Sequence, residues 1–174
     1  MMQSMDDATE EMKRVEHQID VSLKYTRTVD VIMNIIQRMI DGYEFMFDAV
    51  LKYARENNLI DEIPTAPVVK AQTVQYVFKK DMLRESAKQF ESRFDMNIDE
   101  FIADNVELFL LLRKLSRSNP EREQEYRRHV TMRTMIDGRE EIVNIDIITD
   151  YYNLAKNFMD FLYLLFEKFG KMKE

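Results

Sequence analysis

The stretch HVTMRTMIDGREEIVNI, residues 129–145, decides how this chain is read. Apolar and polar residues alternate on either side of Asp137-Gly138, a dipeptide that favours the type I′ turn of a two-residue β-hairpin. With that turn as the loop, Ile136 faces Arg139, and pairing outward places Val130, Met132, Val143 and Ile145 on one face. The other face carries Arg133 opposite Ile142, Thr131 opposite Asn144, and His129 opposite Asp146. A lone hairpin is marginal in water. The base of its apolar face must therefore rest on other elements, while the tip from Asp137 to Glu140 either projects as an arm or closes one end of the molecule.

Those other elements read as helices. From Met5 through Met12, Val15, Ile19, Ser22, Thr26, Val29, Ile36, Tyr43 and Phe47 to Ala54, apolar positions follow one another at alternating steps of three and four. The stripe is thin and flanked by charge up to Thr26, and broad from Val29 onward, where Ile32, Ile35, Met39 and Met46 join it. This predicts a first helix near 6–26 and a buried second one near 28–57, either continuous or broken at Thr26-Arg27-Thr28 or at Asp41-Gly42. A thin heptad stripe either packs on its own bundle or projects over residues 1–26 to pair with a second subunit. Pro64 and Pro67 enclose a linker, and a third helix follows over about 68–94, with a kink near Lys80-Asp81. Asn97 with Glu100 resembles a capping box for a fourth helix ending near Ser116. Pro120 in SRSNPEREQ opens a short helical turn. Thr149 or Asp146 caps a last helix, about 149–169, whose inner stripe is Tyr151, Leu154, Phe158, Phe161 and Leu165. The expected fold is mainly α: one domain over 1–174, a bundle of about five helices with one β-hairpin inserted before the C-terminal helix.

Composition narrows the chemistry. The 174 residues include only 3 Gly and 3 Pro, which suits long helices better than a many-turned sandwich or barrel. Without Cys there is no disulfide, thiolate metal site or cysteine nucleophile. The acidic opening MMQSMDDATEEMKR does not resemble a signal peptide, and the most apolar run, FMDFLYLLF at 158–166, is about half a membrane span. A cytoplasmic protein without membrane contact is the expectation. Gly42, Gly138 and Gly170 lie too far apart for a P-loop or dinucleotide fingerprint. His17 and His129 occur in no zincin or di-iron setting, so neither a metal nor another cofactor is expected.

One asymmetry in charge survives. Between Arg113 and Arg139 the bases are Arg113, Lys114, Arg117, Arg122, Arg127, Arg128, Arg133 and Arg139, and the acids are Glu121, Glu123, Glu125 and Asp137. Eight bases less four acids give +4 on a chain of net charge −7, which leaves −11 for the remainder. Acidic partners would be steered to such a patch and repelled elsewhere, and arginine is the planar bidentate donor for phosphate or carboxylate. Alternatively, the arginines pair with acids of neighbouring helices. The spacing of Arg122 and His129 is similar to the loose Arg-x(4–6)-His spacing of HEPN-type ribonucleases, which are small helical bundles; a likeness of two residues implies a pair acting on an RNA phosphodiester. The favoured expectation is a non-enzymatic interaction or regulatory subunit. It would associate with itself through the N-terminal heptad and contact an acidic protein through Arg113, Arg117, Arg122, Arg127, Arg128, His129 and Arg133. The rival is an RNA-directed ribonuclease or nucleic-acid-binding protein using Arg122 and His129.

Overall fold

A computed structural model describes residues 1–170. Its helices are α1 (Met2–His17), α2 (Leu23–Tyr25), α3 (Val29–Glu56), α4 (Pro67–Val77), α5 (Asp81–Lys88), α6 (Glu91–Phe94), α7 (Ile98–Ser116) and α8 (Ile145–Phe169). Three strands, β1 (Glu121–Glu123), β2 (Thr131–Ile136) and β3 (Arg139–Val143), lie between α7 and α8. The fold is mainly α with a small antiparallel sheet before the last helix, and its buried apolar residues form one cluster.

The centre of that cluster is α3, which touches α1, α4, α7, α8 and β2. Its broad stripe explains why: Ile32, Ile35, Ile36, Met39, Tyr43, Met46, Phe47 and Val50 are all fully buried. Around Tyr43 and Phe47 gather Phe109 of α7 and Phe158 of α8, with ring centroids 5.0–6.2 Å apart. The Tyr43 hydroxyl donates to Asn105 Oδ1 at 2.7 Å, and Asn105 Nδ2 donates to the Phe101 carbonyl at 2.8 Å, so this buried polar pair is satisfied.

The N-terminal helix does not project. Met5, Ala8, Met12 and Val15 are at most 2% exposed, packed against the chain's own α3 and α8. A thin stripe suffices because the helices meet closely at small residues. A Cβ added to Gly42 would lie 3.3 Å from Met12 Sδ. Polar ties reinforce the contact: Thr9 shares a 2.6 Å hydrogen bond with Tyr163, and the Tyr152 hydroxyl donates to Glu16 at 3.2 Å. The seam expected to hold a second subunit is thus consumed within the chain. Between α1 and α2, residues Gln18–Ser22 form a π-helical turn. Its extra residue shifts the stripe, so that Leu23, at 1% exposed, turns inward in place of Ser22. The chain then breaks at Thr26–Thr28, where the Thr28 hydroxyl caps α3 by accepting from Val31 N–H, while Asp41-Gly42 passes unbroken inside α3.

Other boundaries also differ. The third expected helix is divided into α4, α5 and α6 with extended backbone at Lys80. Asn97 caps α7 as its sequence suggests, its side chain accepting from Glu100 N–H at 3.1 Å. The start of α8 is Asn144, whose Oδ1 accepts from Ile147 N–H at 2.9 Å; neither Asp146 nor Thr149 serves as the cap. After Pro120 there is no helical turn but a strand, β1, which pairs with β2 and converts the hairpin into a three-stranded sheet.

The β2–β3 register is the one the turn dictates: Met132 opposite Val143, Arg133 opposite Ile142, and Ile136 opposite Arg139. Asp137 (φ 51°) and Gly138 (φ 80°) both take the left-handed conformation a type I′ turn requires. Val130, Met132 and Val143 are fully buried, and β2 rests on α3 and α7. Lys114 of α7 pairs with Asp137, so the tip is strapped to the bundle and does not project as a free arm.

Candidate functional site

The residues between β1 and β2 include two of the non-glycine residues with positive φ. Gln124 (φ 55°) and Tyr126 (φ 65°) are non-glycine residues in the left-handed region, a conformation that persists only where surrounding contacts over-determine it. Those contacts are present. Tyr126 N–H donates to the Arg27 carbonyl at 2.6 Å, and Val29 N–H, at the start of α3, donates to Glu125 Oε1 at 3.2 Å. Arg122 donates to Asp30 of α3 at 2.7 Å and to Glu125 at 3.2 Å. The Arg122 hydrogen bond and charge hold the Asp30 carboxyl below the usual carboxylate range. Arg122 is therefore a strut that docks the loop on the α2–α3 junction.

This docking closes one side of a cleft of about 460 Å³. Ile19 and Asp20 of the π-helical turn, Leu23 and Lys24 of α2, and Arg27 form one wall; Arg128, His129 and Thr131 form another; Asn144, Ile145 and Asp146 close it at the head of α8. Leu23 is buried, Ile19 and Arg27 are half-buried, and Lys24, Arg128 and His129 are exposed. Arg27 Nε donates to the Leu23 carbonyl at 3.2 Å, and the Thr131 hydroxyl to the His129 carbonyl at 2.8 Å. Among the described residues Lys24, Arg27 and Arg128 form no ion pair, nor do the lining acids Asp20 and Asp146. Tyr25 (79% exposed) follows Lys24 in sequence, and Tyr126 (76% exposed) lies two residues before Arg128. The first turn of α8 is served by its own Asn144 cap and Asp146, so the cations, and not the helix dipole, give the cleft its character.

The arginine block does not form one surface. Arg113 pairs with Glu44 of α3 at 3.7 Å and Arg122 with Asp30 and Glu125. Arg133 is held between Glu123, at 2.9 Å, and Glu140. The outer sheet face around Arg133 also carries Glu121, opposite it in the β1–β2 register, which makes that face acidic on balance. Arg117 ends α7 and Arg127 lies in the loop; neither lines the cleft. Of the expected binding residues, the cleft gathers only Arg128 and His129. The HEPN-like pair is likewise not assembled there, because Arg122 is spent on α3 and is absent from the lining of the His129 cleft.

Lys24 and Arg27 are the lining cations that sequence reading missed. They sit where the heptad pattern fails, and a heptad reading assigns them to a solvated helix face. The usable signal is Thr26-Arg27-Thr28 itself, a β-branched pair around a base at a break. Among the described residues no group of three or more His, Cys, Asp or Glu could hold a metal ion, and no helix is long and apolar enough to cross a membrane. The chain matches no protein-family model, no curated protein and no solved structure, so its function has to be argued from the cleft.

Proposed function

We propose that this protein is a non-enzymatic interaction or regulatory subunit of the cytoplasm whose basic cleft receives an acidic group of a partner protein. One observation carries the reading: Lys24, Arg27 and Arg128, from two separate segments, line one cleft and among the described residues have no ion-pair partners, on a chain of net charge −7. Arg113, Lys114, Arg122 and Arg133 of the arginine block are paired with neighbouring acids, whereas Arg128, among the described residues, is not. A cluster left unpaired in a concave site, beside a π-helical turn and a strained loop, fits a binding site better than a packing element. Exposed Tyr25 and Tyr126 beside it supply residue types that dominate protein contacts. Self-association would have to use a surface other than the N-terminal stripe.

Affinity purification of the native protein, with and without ribonuclease treatment, tests this. Bound proteins should survive the ribonuclease arm and be lost from Arg128→Ala, with Lys168→Ala on α8 as the control. Partner loss on ribonuclease treatment, or RNA cleavage abolished by His129→Ala, would overturn the reading in favour of an RNA-directed protein.

A further inference from the structure

The charge geometry of the cleft also discriminates between kinds of acidic group. A carboxylate is planar, carries one charge and offers two oxygens on one side. A phosphoryl group on a side chain carries about −1.5 to −2 at neutral pH and offers three oxygens arranged tetrahedrally. The donors here come from two separate segments of the chain: Lys24 and Arg27 at the end of the first helical segment, Arg128 and His129 from the docked loop. Arg27 spends only its Nε, on the Leu23 carbonyl, so its terminal nitrogens remain for a ligand. Arginine at such a site gives paired, directed donors, while Lys24 acts as a point charge.

The lining acids add a second constraint. Asp20 and Asp146 set two negative charges against the three of Lys24, Arg27 and Arg128. The interaction with that net positive charge scales with the charge of the ligand, so a doubly charged group gains about twice what a singly charged one does. The same acids disfavour a long polyanion, as do Asp30, Glu121 and Glu123 beside the docked loop and the chain's net charge of −7. Resting on the proposed function above, we infer that the cleft binds the phosphoryl group of a phosphorylated serine or threonine in a partner protein, with Lys24, Arg27 and Arg128 as its anchors and Tyr25 and Tyr126 contacting the flanking peptide.

The test uses the full chain and three dye-labelled peptide libraries with the same random flanks, bearing phosphoserine, glutamate or serine at the fixed centre. Fluorescence anisotropy should show the phosphoserine library binding at least about tenfold more tightly than the glutamate library. Arg27→Ala and Arg128→Ala should each lose about tenfold, while Arg139→Ala on the hairpin, outside the cleft, should not. Inorganic phosphate should compete and acetate should not, which separates the phosphoryl group from the peptide that carries it. Equal binding of the phosphoserine and glutamate libraries, lost together in Arg128→Ala, overturns the phosphoryl inference and leaves the acidic-partner reading standing. No library binding, binding indifferent to both arginine changes, or tighter binding of a single-stranded RNA of random sequence overturns both. Thermal melts of every variant keep a folding defect from being read as lost binding.

Discussion

The close contact between α1 and α3 at Gly42 offers a stability test that needs no ligand. Met12 of α1 is 2% exposed and lies over Gly42 of α3, where an added Cβ would sit 3.3 Å from its Sδ and 3.8 Å from its Cγ. Truncating Met12 to alanine removes buried side-chain atoms and leaves a cavity, at a cost of roughly 2–4 kcal/mol. Gly42→Ala alone sets two effects against each other. Alanine is favoured in a helix interior by about 1 kcal/mol, but its methyl crowds the Met12 sulfur, and the net change should fall within about 0.5 kcal/mol of zero. In the Met12→Ala background the crowding vanishes, because the nearest remaining atom is Glu11 Cβ at 3.7 Å, an ordinary contact. There Gly42→Ala should stabilise by about 1 kcal/mol, giving a coupling between the sites of about 0.5–1.5 kcal/mol. Urea unfolding of the four proteins, with slopes checked for constancy, measures the cycle. If Met12→Ala costs less than about 1 kcal/mol, or if the two changes simply add, α1 is not packed on α3 and the account of the N-terminal helix fails.

Three further outcomes are expected. Asp30 should titrate below the usual carboxylate range by NMR and return to it in Arg122→Ala; because its folded value is depressed, its stabilisation is present above the ordinary value and lost as pH falls through the depressed one. Tyr43→Phe should destabilise by roughly 1–3 kcal/mol in thermal or urea unfolding, because Asn105 Oδ1 then stays buried without its donor. The Tyr152 phenol, raised by burial and by neighbouring Glu16 to about 12, should ionise late in an ultraviolet titration, and earlier in Glu16→Gln. Its raised value means the associated stability is intact below the ordinary tyrosine range and fades as pH climbs towards 12.

Much of the fold was legible because local signals were strong. Asp137-Gly138 fixes the turn, the turn fixes the register, and the alternation then selects Met132 and Val143 for burial. Asn97 announces α7 through its cap. The failures trace to signals that are weak or non-local. Glu121–Glu123 has no apolar alternation, and only pairing with β2 makes it a strand. The kink expected near Lys80-Asp81 is a full break with extended backbone at Lys80, and its extent is hidden because Phe78-Lys79-Lys80 contains neither Gly nor Pro. The thin stripe of α1 mimics a coiled-coil seam because Ala8 and Gly42 let two helices of one chain meet closely, a fact visible only when both are seen together. The candidate site suffered most. Arg128 and His129 were singled out within a basic run, but the run's fate depended on where acids such as Glu44, Asp30 and Glu140 came to lie. Lys24 and Arg27 are about a hundred positions away in sequence, and they join the cleft through the docking of the loop by Tyr126, Glu125 and Arg122.

An acidic partner should bind in this cleft and not on the sheet's outer face. Amide chemical-shift mapping of the full chain, titrated with a short poly-glutamate peptide and then with a phosphoserine peptide, tests it most directly. The expected perturbations cluster at Lys24, Arg27, Arg128, His129, Thr131 and Asp146 and disappear in an Arg27→Ala/Arg128→Ala variant with an unchanged melt. Shifts centred on Arg133 and Met135, on Arg113 and Arg117, or on no surface at all would contradict it.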